Sequence, residues 1–301
     1  MNGNVLSIDG LTKKFGKLTA VNNLELKVPK GSVFGILGPN GSGKTTTLAM
    51  ILGVINPTSG SFKWFEGQSG HQARKKIGAI LEAPCFYHYL SAKQNLEVAA
   101  TIKEVSAKRI DEVLDRVGLL KRKNDPFRSY SLGMKQRLAI GSALLSDPEV
   151  MILDEPTNGL DPQGIAEIRN LIIDLANEDR TIITASHMLS EVQKICTDFA
   201  VLRTGKKIYQ GKVQELAKEN NRCELMAENE EELISVLDRL NIVSSHRREG
   251  GIMVATLIEG KKSSDLNSMI MNEGIALTRL LPQVTSLEQR FLEILKSEEN
   301  A

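Results

Sequence analysis

The residues best equipped for chemistry are Gly38-Pro39-Asn40-Gly41-Ser42-Gly43-Lys44-Thr45-Thr46. Three glycines at this spacing let the backbone curl until successive N–H groups face one concavity, a nest for an anion. Lys44 adds a point charge there, and the Thr45 hydroxyl is an oxygen ligand suited to Mg2+. The stretch fits G-x-x-x-x-G-K-[ST], a phosphate-binding loop whose lysine meets the β- and γ-phosphates of a nucleotide. The competing reading is a Gly-rich turn before an ordinary helix, and the flanks argue against it. Ser32–Leu37 is an apolar run of strand length, and a helix is expected from about Thr45 to Leu52, ended by Gly53. Such a helix aims the positive end of its dipole at the same concavity.

A second group of candidates lies where other apolar runs end. Val150–Leu153 runs straight into Asp154-Glu155. A buried strand ending in paired carboxylates calls for a cation, so Asp154 reads as the acid that holds Mg2+ and its water beside Thr45. Glu155 reads as the base that polarises an attacking water. Arg180–Ser186 is a further apolar run, with His187 at its end. A lone histidine is usually structural or on the surface, but ligands of doubly wound sheets sit at the carboxyl ends of strands, where His187 could donate a hydrogen bond to the γ-phosphate. Asp161 follows Asn158-Gly159-Leu160 and precedes Pro162, an N-cap position for a helix over Gln163–Asn177. Two residues keep two readings each on local sequence. Phe15, beside Gly16, is either a stacking platform for adenine or a core phenylalanine. Glu82, at the end of Ile77–Leu81, is either a surface acid or a metal or water contact, and locally the surface acid is favoured.

Elements able to position these groups alternate along the first two thirds of the chain. Val5–Asp9 and Ala20–Val28 alternate as strands, Ser61–Phe65 is a third, and His71–Lys76 is a short helix. Residues 91–146 differ, with a Ser91-capped helix, a second over Ala107–Val117 ended by Gly118, and a third over Ser131–Leu145. Asp198–Arg203 and Lys207–Tyr209 close this part. From about Arg222 the pattern changes again. A strand over Cys223–Ala227, a helix over Glu230–Leu240 and a hairpin of Val243–Arg248 with Ile252–Ile258 come first. A helix over Ser264–Asn272, a strand over Ala276–Leu281 and a helix over Ser286–Leu295 follow, a β-α-β-β-α-β order with one added helix.

Composition narrows the classes. The chain has 301 residues, 25% of them charged, and a net charge of +1. That allows one large or two modest domains and gives no global attraction to nucleic acid or anionic lipid. Cys85, Cys196 and Cys223 share no metal-ligand spacing and read as reduced thiols of a cytosolic protein. Met1-Asn2-Gly3-Asn4 has neither the basic start nor the apolar run of a secretion signal. The charge-free window Thr45–Phe62 is broken by Gly53, Asn56, Pro57 and Gly60, so no membrane span is expected.

Tyr130-Ser131-Leu132-Gly133-Met134-Lys135-Gln136-Arg137 resembles the signature of ATP-binding-cassette (ABC) ATPases. Its spacing from the phosphate loop, from Asp154-Glu155, from Gly159-Leu160-Asp161 and from His187 fits that family over about residues 4–212. The chain most resembles the ATP-binding subunits of drug and peptide-antibiotic exporters of the bacitracin and lantibiotic type. The resemblance implies an α/β P-loop cassette over 4–215, with a RecA-like core, an antiparallel β part and a helical subdomain at 88–146. It also implies a small α+β, ferredoxin-like accessory or regulatory domain over 221–298. It implies an ATPase that uses ATP and Mg2+ and energises a separately encoded permease from the cytoplasmic face of the membrane, exporting a drug or antibiotic peptide, with no nucleic acid and no membrane insertion of its own. Two cassettes, expected to be identical, would enclose two ATP. Lys44, Thr45, Glu82, Asp154, Glu155 and His187 of one would face Ser131 and Gly133 of the other, Phe15 would stack on adenine, and Asp161 would carry signals across the dimer. An importer cassette, or a soluble cassette acting on ribosomes or DNA, are the alternatives. Three positions depart from the commonest family pattern. Leu132 stands for a glycine, Met134 for a glutamine, and Glu82 for a glutamine.

Overall fold

The computed structural model describes residues 3–67, 70–81, 85–216 and 219–284. Contacts divide the chain into two compact units, Met1–Val213 and Gln214–Ala301.

In the first unit the opening strands are longer than alternation alone predicts. β1 runs Asn4–Phe15 and pairs antiparallel with β2, Leu18–Pro29. The sequence pattern stops at Asp9 because the register slips between Ile8 and Leu11. Gly10, at φ 60, makes a bulge there that bends the strand without ending it. β3 is Val33–Leu37 and α1 is Lys44–Ile51. β4, Ser59–Trp64, then pairs with the other edge of β1. The short helix α2, Gly70–Lys75, leads to β5, Ile77–Ile80.

The helical stretch follows: α3 is Ala92–Ile102, α4 is Ile110–Arg116 and α5 is Leu132–Leu144. The single helix expected over 107–117 begins with a separate 3-10 turn, Ala107–Arg109, because the Ser106 hydroxyl accepts from Lys108 N and tightens that turn. Ser91 and Gln94 form the capping box of α3. Asn95, 2% exposed, accepts from Tyr87 N at 2.8 Å and donates to Tyr87 O at 3.1 Å, which ties the segment after β5 to α3. Gly141 lets α5 approach α4, since a Cβ there would meet Val113 Cγ1 at 3.2 Å.

β6 is Val150–Asp154, α6 is Pro162–Ala176, β7 is Thr181–Ser186, α7 is Leu189–Ile195, β8 is Asp198–Arg203 and β9 is Lys206–Lys212. These strands make a 6-stranded sheet, β5-β6-β7-β3-β8-β9, parallel except for β9. Strands β3, β6 and β7 are buried along their whole length, as expected of parallel strands covered on both faces. The antiparallel sheet, order β2-β1-β4, shares with them a core that includes Leu6, Leu26, Phe34, Leu48, Trp64 and Ile152. Trp64 is buried there because its Nε1–H donates to Ile51 O at 3.0 Å.

α8, Val213–Leu216, spans the boundary between the units. The second unit holds β10, Glu219–Ala227, α9, Glu230–Leu237, β11, Val243–Glu249, β12, Ile252–Leu257, α10, Ser263–Asn272, and β13, Leu277–Val284. They form a 4-stranded antiparallel sheet of order β11-β12-β10-β13. Cys223, Leu225 and Ala255 of the sheet cluster with Leu233 and Leu237 of α9 and with Leu266 and Ile270 of α10. Gly250 and Gly251, both at positive φ, turn the β11–β12 hairpin. Pro282 sits on the edge strand β13, where a missing N–H is tolerated. The expected helix at 286–295 lies outside the described residues.

Candidate nucleotide site

The loop from Gly38 to Gly43 joins β3 to α1. Two of its glycines are required by close approach rather than by flexibility alone. A Cβ on Gly38 would lie 2.3 Å from Leu202 O, and one on Gly43, at φ +100, would lie 2.6 Å from Ala20 O. Gly43 is the N-cap of α1 and offers no side chain to its first amides. Those N–H groups therefore face the concavity without an intrahelical partner. Pro39 O accepts from Ser42 N at 3.1 Å, which closes the turn. The Ser42 hydroxyl is buried, with no hydrogen-bond partner among the described residues.

Lys44 is 5% exposed. Its ammonium donates to Gly38 O at 2.7 Å and to Pro39 O at 3.3 Å, and it lies 3.3 Å from Glu155 Oε1. A buried cation held by its own loop and one carboxylate is well placed to exchange those partners for phosphate oxygens. Thr45 Oγ1 donates to Asp154 Oδ2 at 2.7 Å. Among the described residues no group of three or more His, Cys, Asp or Glu could hold a metal. The Thr45 hydroxyl and the Asp154 carboxylate are oxygen donors of the kind a hard cation such as Mg2+ takes.

Sheet order explains how residues far apart in sequence meet. β7 lies between β6 and β3, with Asp154 opposite Ala185 and Leu37 opposite Ser186. Three strand ends therefore open onto one place. Glu155 sits there at φ 47, a left-handed conformation that few non-glycine residues adopt. Its N–H donates to Ala185 O at 3.0 Å and its carbonyl accepts from Asn158 N at 3.1 Å. Its Oε2 lies 2.9 Å from His187 Nδ1. One carboxylate is thus held between Lys44 and His187.

Lys44, Thr45 and Glu155 border a cavity of about 460 Å3, which Asp154 and His187 do not line. Asn40, Gly41, Gly43, Thr46 and Phe15 line it with them. Phe15 is no core residue, being 48% exposed, with Lys13 Nζ 5.0 Å from its ring centre. Leu18, Thr19, Ala20 and Thr204 also line the cavity and carry no motif in the sequence. Their only signal was position, in or beside turns between strands.

Ser131, Gly133 and Asp161 do not line this cavity. Ser131 caps α5, its hydroxyl accepting from Met134 N at 3.3 Å, and is exposed. Asp161 caps α6, its Oδ1 accepting from Gly164 N at 3.0 Å. The two turns touch each other. A Cβ on Gly159 would meet Leu132 Cδ2 at 3.3 Å, and one on Gly133 would meet Leu160 Cδ2 at 3.9 Å. Glu82 lies outside the described residues.

Sequence reading also missed a half-buried ion pair between two helices. Glu191 of α7 is 4% exposed and accepts from Arg169 of α6, Nη2 to Oε1, at 2.8 Å. It fixes the helix that follows His187 against the helix that follows Asp161. Glu191→Ala removes the partner of a half-buried Arg169, and urea denaturation is expected to show a loss of about 1.5–2 kcal/mol. A loss within the error of the measurement would deny the pair that role.

The family described as "ABC transporter" matches residues 21–158. The chain is 37% identical to the bacitracin transport ATP-binding protein BcrA of Bacillus licheniformis, over 97% of this chain and 97% of that protein. It is 43% identical to the lantibiotic transport ATP-binding protein SrtF of Streptococcus pyogenes, over 69% of this chain and 89% of that one. Among solved structures, the dimeric post-hydrolysis state of the ATP-binding cassette MJ0796, bound to ADP and Pi, superposes with a TM-score of 0.62 at 26% identity. That match covers 69% of this chain and 98% of the other. A phosphate loop, a strand ending in acids and a cassette sheet occur here in one chain that aligns with BcrA almost from end to end. The chain therefore belongs to the ATP-binding proteins of ABC transporters, which hydrolyse ATP to drive transport.

Proposed function

We propose that the chain energises a separate permease that exports a drug or antibiotic peptide, working as a pair of identical cassettes at the cytoplasmic face of the membrane. The observation that carries this reading is a cavity lined by Lys44, Thr45 and Glu155, with Asp154 bonded to Thr45 and His187 bonded to Glu155 behind them. The similarity to BcrA over the length of both chains supports the export of a peptide antibiotic or a like compound. Among the described residues no helix is long and apolar enough to cross a membrane, which suits a permease on another chain.

In this reading the amides of Gly41–Thr46 and the Lys44 ammonium hold the phosphates, and Phe15 stacks on the base. Thr45 and Asp154 would hold Mg2+, with Glu82 as the expected third oxygen ligand. The ion would supply neutralisation of charge on the phosphate oxygens. Glu155 accepts the proton of the attacking water, and His187, 2.9 Å from it, orients that carboxylate and donates toward the γ-phosphate. Ser131 and Gly133 serve the cavity of a second copy, so turnover waits on closure of the pair.

The test is a pull-down of tagged Glu155→Gln protein from native membranes in the presence of ATP, read by mass spectrometry. Recovery of a polytopic permease is expected. Recovery of ribosomal or nucleic-acid proteins instead would overturn the exporter reading.

A further inference from the structure

We propose that Thr204 is a specificity residue of the nucleotide cavity, its hydroxyl hydrogen-bonded to the ribose of the bound nucleotide. The proposal rests on reading that cavity as the nucleotide site. Thr204 lines it, together with the phosphate loop and Phe15. No hydrogen bond within the chain engages the Thr204 hydroxyl among the described residues.

The backbone at Thr204 is the first argument. Thr204 and Gly205 form the two-residue turn between β8 and β9, at φ 46 and φ 79. Two central residues at positive φ make the turn type that favours Asn, Asp or Gly at its first position. A β-branched threonine there is an outlier. Strain of this kind gathers where a side chain has a use that outweighs its conformational cost.

The placement of the turn is the second. Gly205 N donates to Ser42 O at 3.1 Å, and Gly205 O accepts from Asn22 N at 2.8 Å. A Cβ on Gly205 would lie 2.7 Å from Ala20 O, and Gly205 Cα is 3.5 Å from where a Cβ of Gly43 would be. The tip is therefore wedged between the Ala20–Asn22 stretch and the phosphate loop, and Thr204 cannot swing aside independently. Phe15, Leu18, Ala20, Gly43 and Thr204 all line the cavity, and in the proposed function Phe15 receives the base and the loop of Gly43 the phosphates. The part of a nucleotide that joins base to phosphate is the sugar, and the sugar offers hydroxyls to a hydroxyl partner.

The experiment compares parent, Thr204→Ala, Thr204→Gly and Lys44→Ala proteins. Equilibrium affinities for ATP, 2′-deoxy-ATP and 3′-deoxy-ATP are measured, and thermal melting without nucleotide is recorded. Thr204→Ala and Thr204→Gly are expected to bind ATP about 3- to 10-fold more weakly. The parent should discriminate against one deoxy analogue by a similar factor, and both variants should lose that discrimination. Thr204→Gly should also melt about 1–3 °C higher than the parent, because glycine relieves the turn. Higher stability with weaker binding is the pattern that a merely structural threonine does not give. Unchanged ATP affinity in both Thr204 variants, or deoxy discrimination that survives in them, overturns the proposal. If Lys44→Ala binds ATP as the parent does, the cavity reading itself falls, and this proposal with it.

Discussion

Glu155→Gln protein is expected to bind ATP at least as tightly as the parent while hydrolysing it at least about 100-fold more slowly. The amide keeps the shape of the carboxylate and the φ of 47 that places it. It cannot accept a proton from water. Binding is spared because the groups proposed to hold phosphate lie elsewhere, in the amides of the loop and in Lys44. Lys44 loses a charged neighbour at 3.3 Å but keeps the Gly38 and Pro39 carbonyls at 2.7 and 3.3 Å. Its charge is then less fully met within the chain, which strengthens its attraction to a triphosphate. Equilibrium nucleotide binding and steady-state phosphate release on the same preparation check both halves. Turnover within twofold of the parent would remove Glu155 from the role of base. Weakened binding instead would mean that its pairing with Lys44 and His187 shapes the cavity rather than the reaction.

What the sequence made legible, and what it did not, follows from the range of the constraint. The phosphate loop was readable because its demands are local. Gly38 and Gly43 must be glycine whatever surrounds them in sequence, since a Cβ would strike the carbonyls of Leu202 and Ala20. Strands β3, β6 and β7 were readable as apolar runs because both faces are covered. The caps at Ser91 and Asp161 were readable because a cap acts on amides three residues away. Signals that depend on partners distant in sequence were lost. The bulge at Gly10 is held in part by Gly60, where a Cβ would sit 2.2 Å from Gly10 O, so β1 looked shorter than it is. The Arg169–Glu191 pair joins two helices across a strand, and neither residue stands out in its own segment. Thr204 reaches the cavity only because Gly205 is bonded to Ser42. Ser131 and Gly133 gained a role from family resemblance alone, and the fold of one chain gives them no contact with its own cavity.

That last separation yields the second large effect. Ser131→Arg is expected to abolish ATP-dependent pairing of two chains and to reduce ATPase activity at least about 100-fold, with ATP affinity of the single chain unchanged. Ser131 is exposed and opens α5, whose first amides and dipole favour an anion. Leu132, 49% exposed, and Gly133 continue the same surface. An N-terminus of this kind, outside its own chain's cavity, suits the phosphate of a second copy in the proposed pair. An arginine at the cap position would place a long side chain where the second copy closes in the proposed pair. Its removal of the cap costs only about 1 kcal/mol, since the hydroxyl accepts just the Met134 amide. Ser131→Ala separates the two effects, for it loses the cap without adding bulk, and it should pair more weakly but still detectably. Light scattering with ATP on the Glu155→Gln background reads pairing directly, because the slow hydrolysis expected there would preserve an ATP-bound pair. If the Ser131→Arg, Glu155→Gln protein pairs with ATP as well as Glu155→Gln alone, the turn at Ser131 lies outside the composite site. The contacts of Leu132 and Leu160 around Gly159 and Gly133 would then be ordinary packing within one chain.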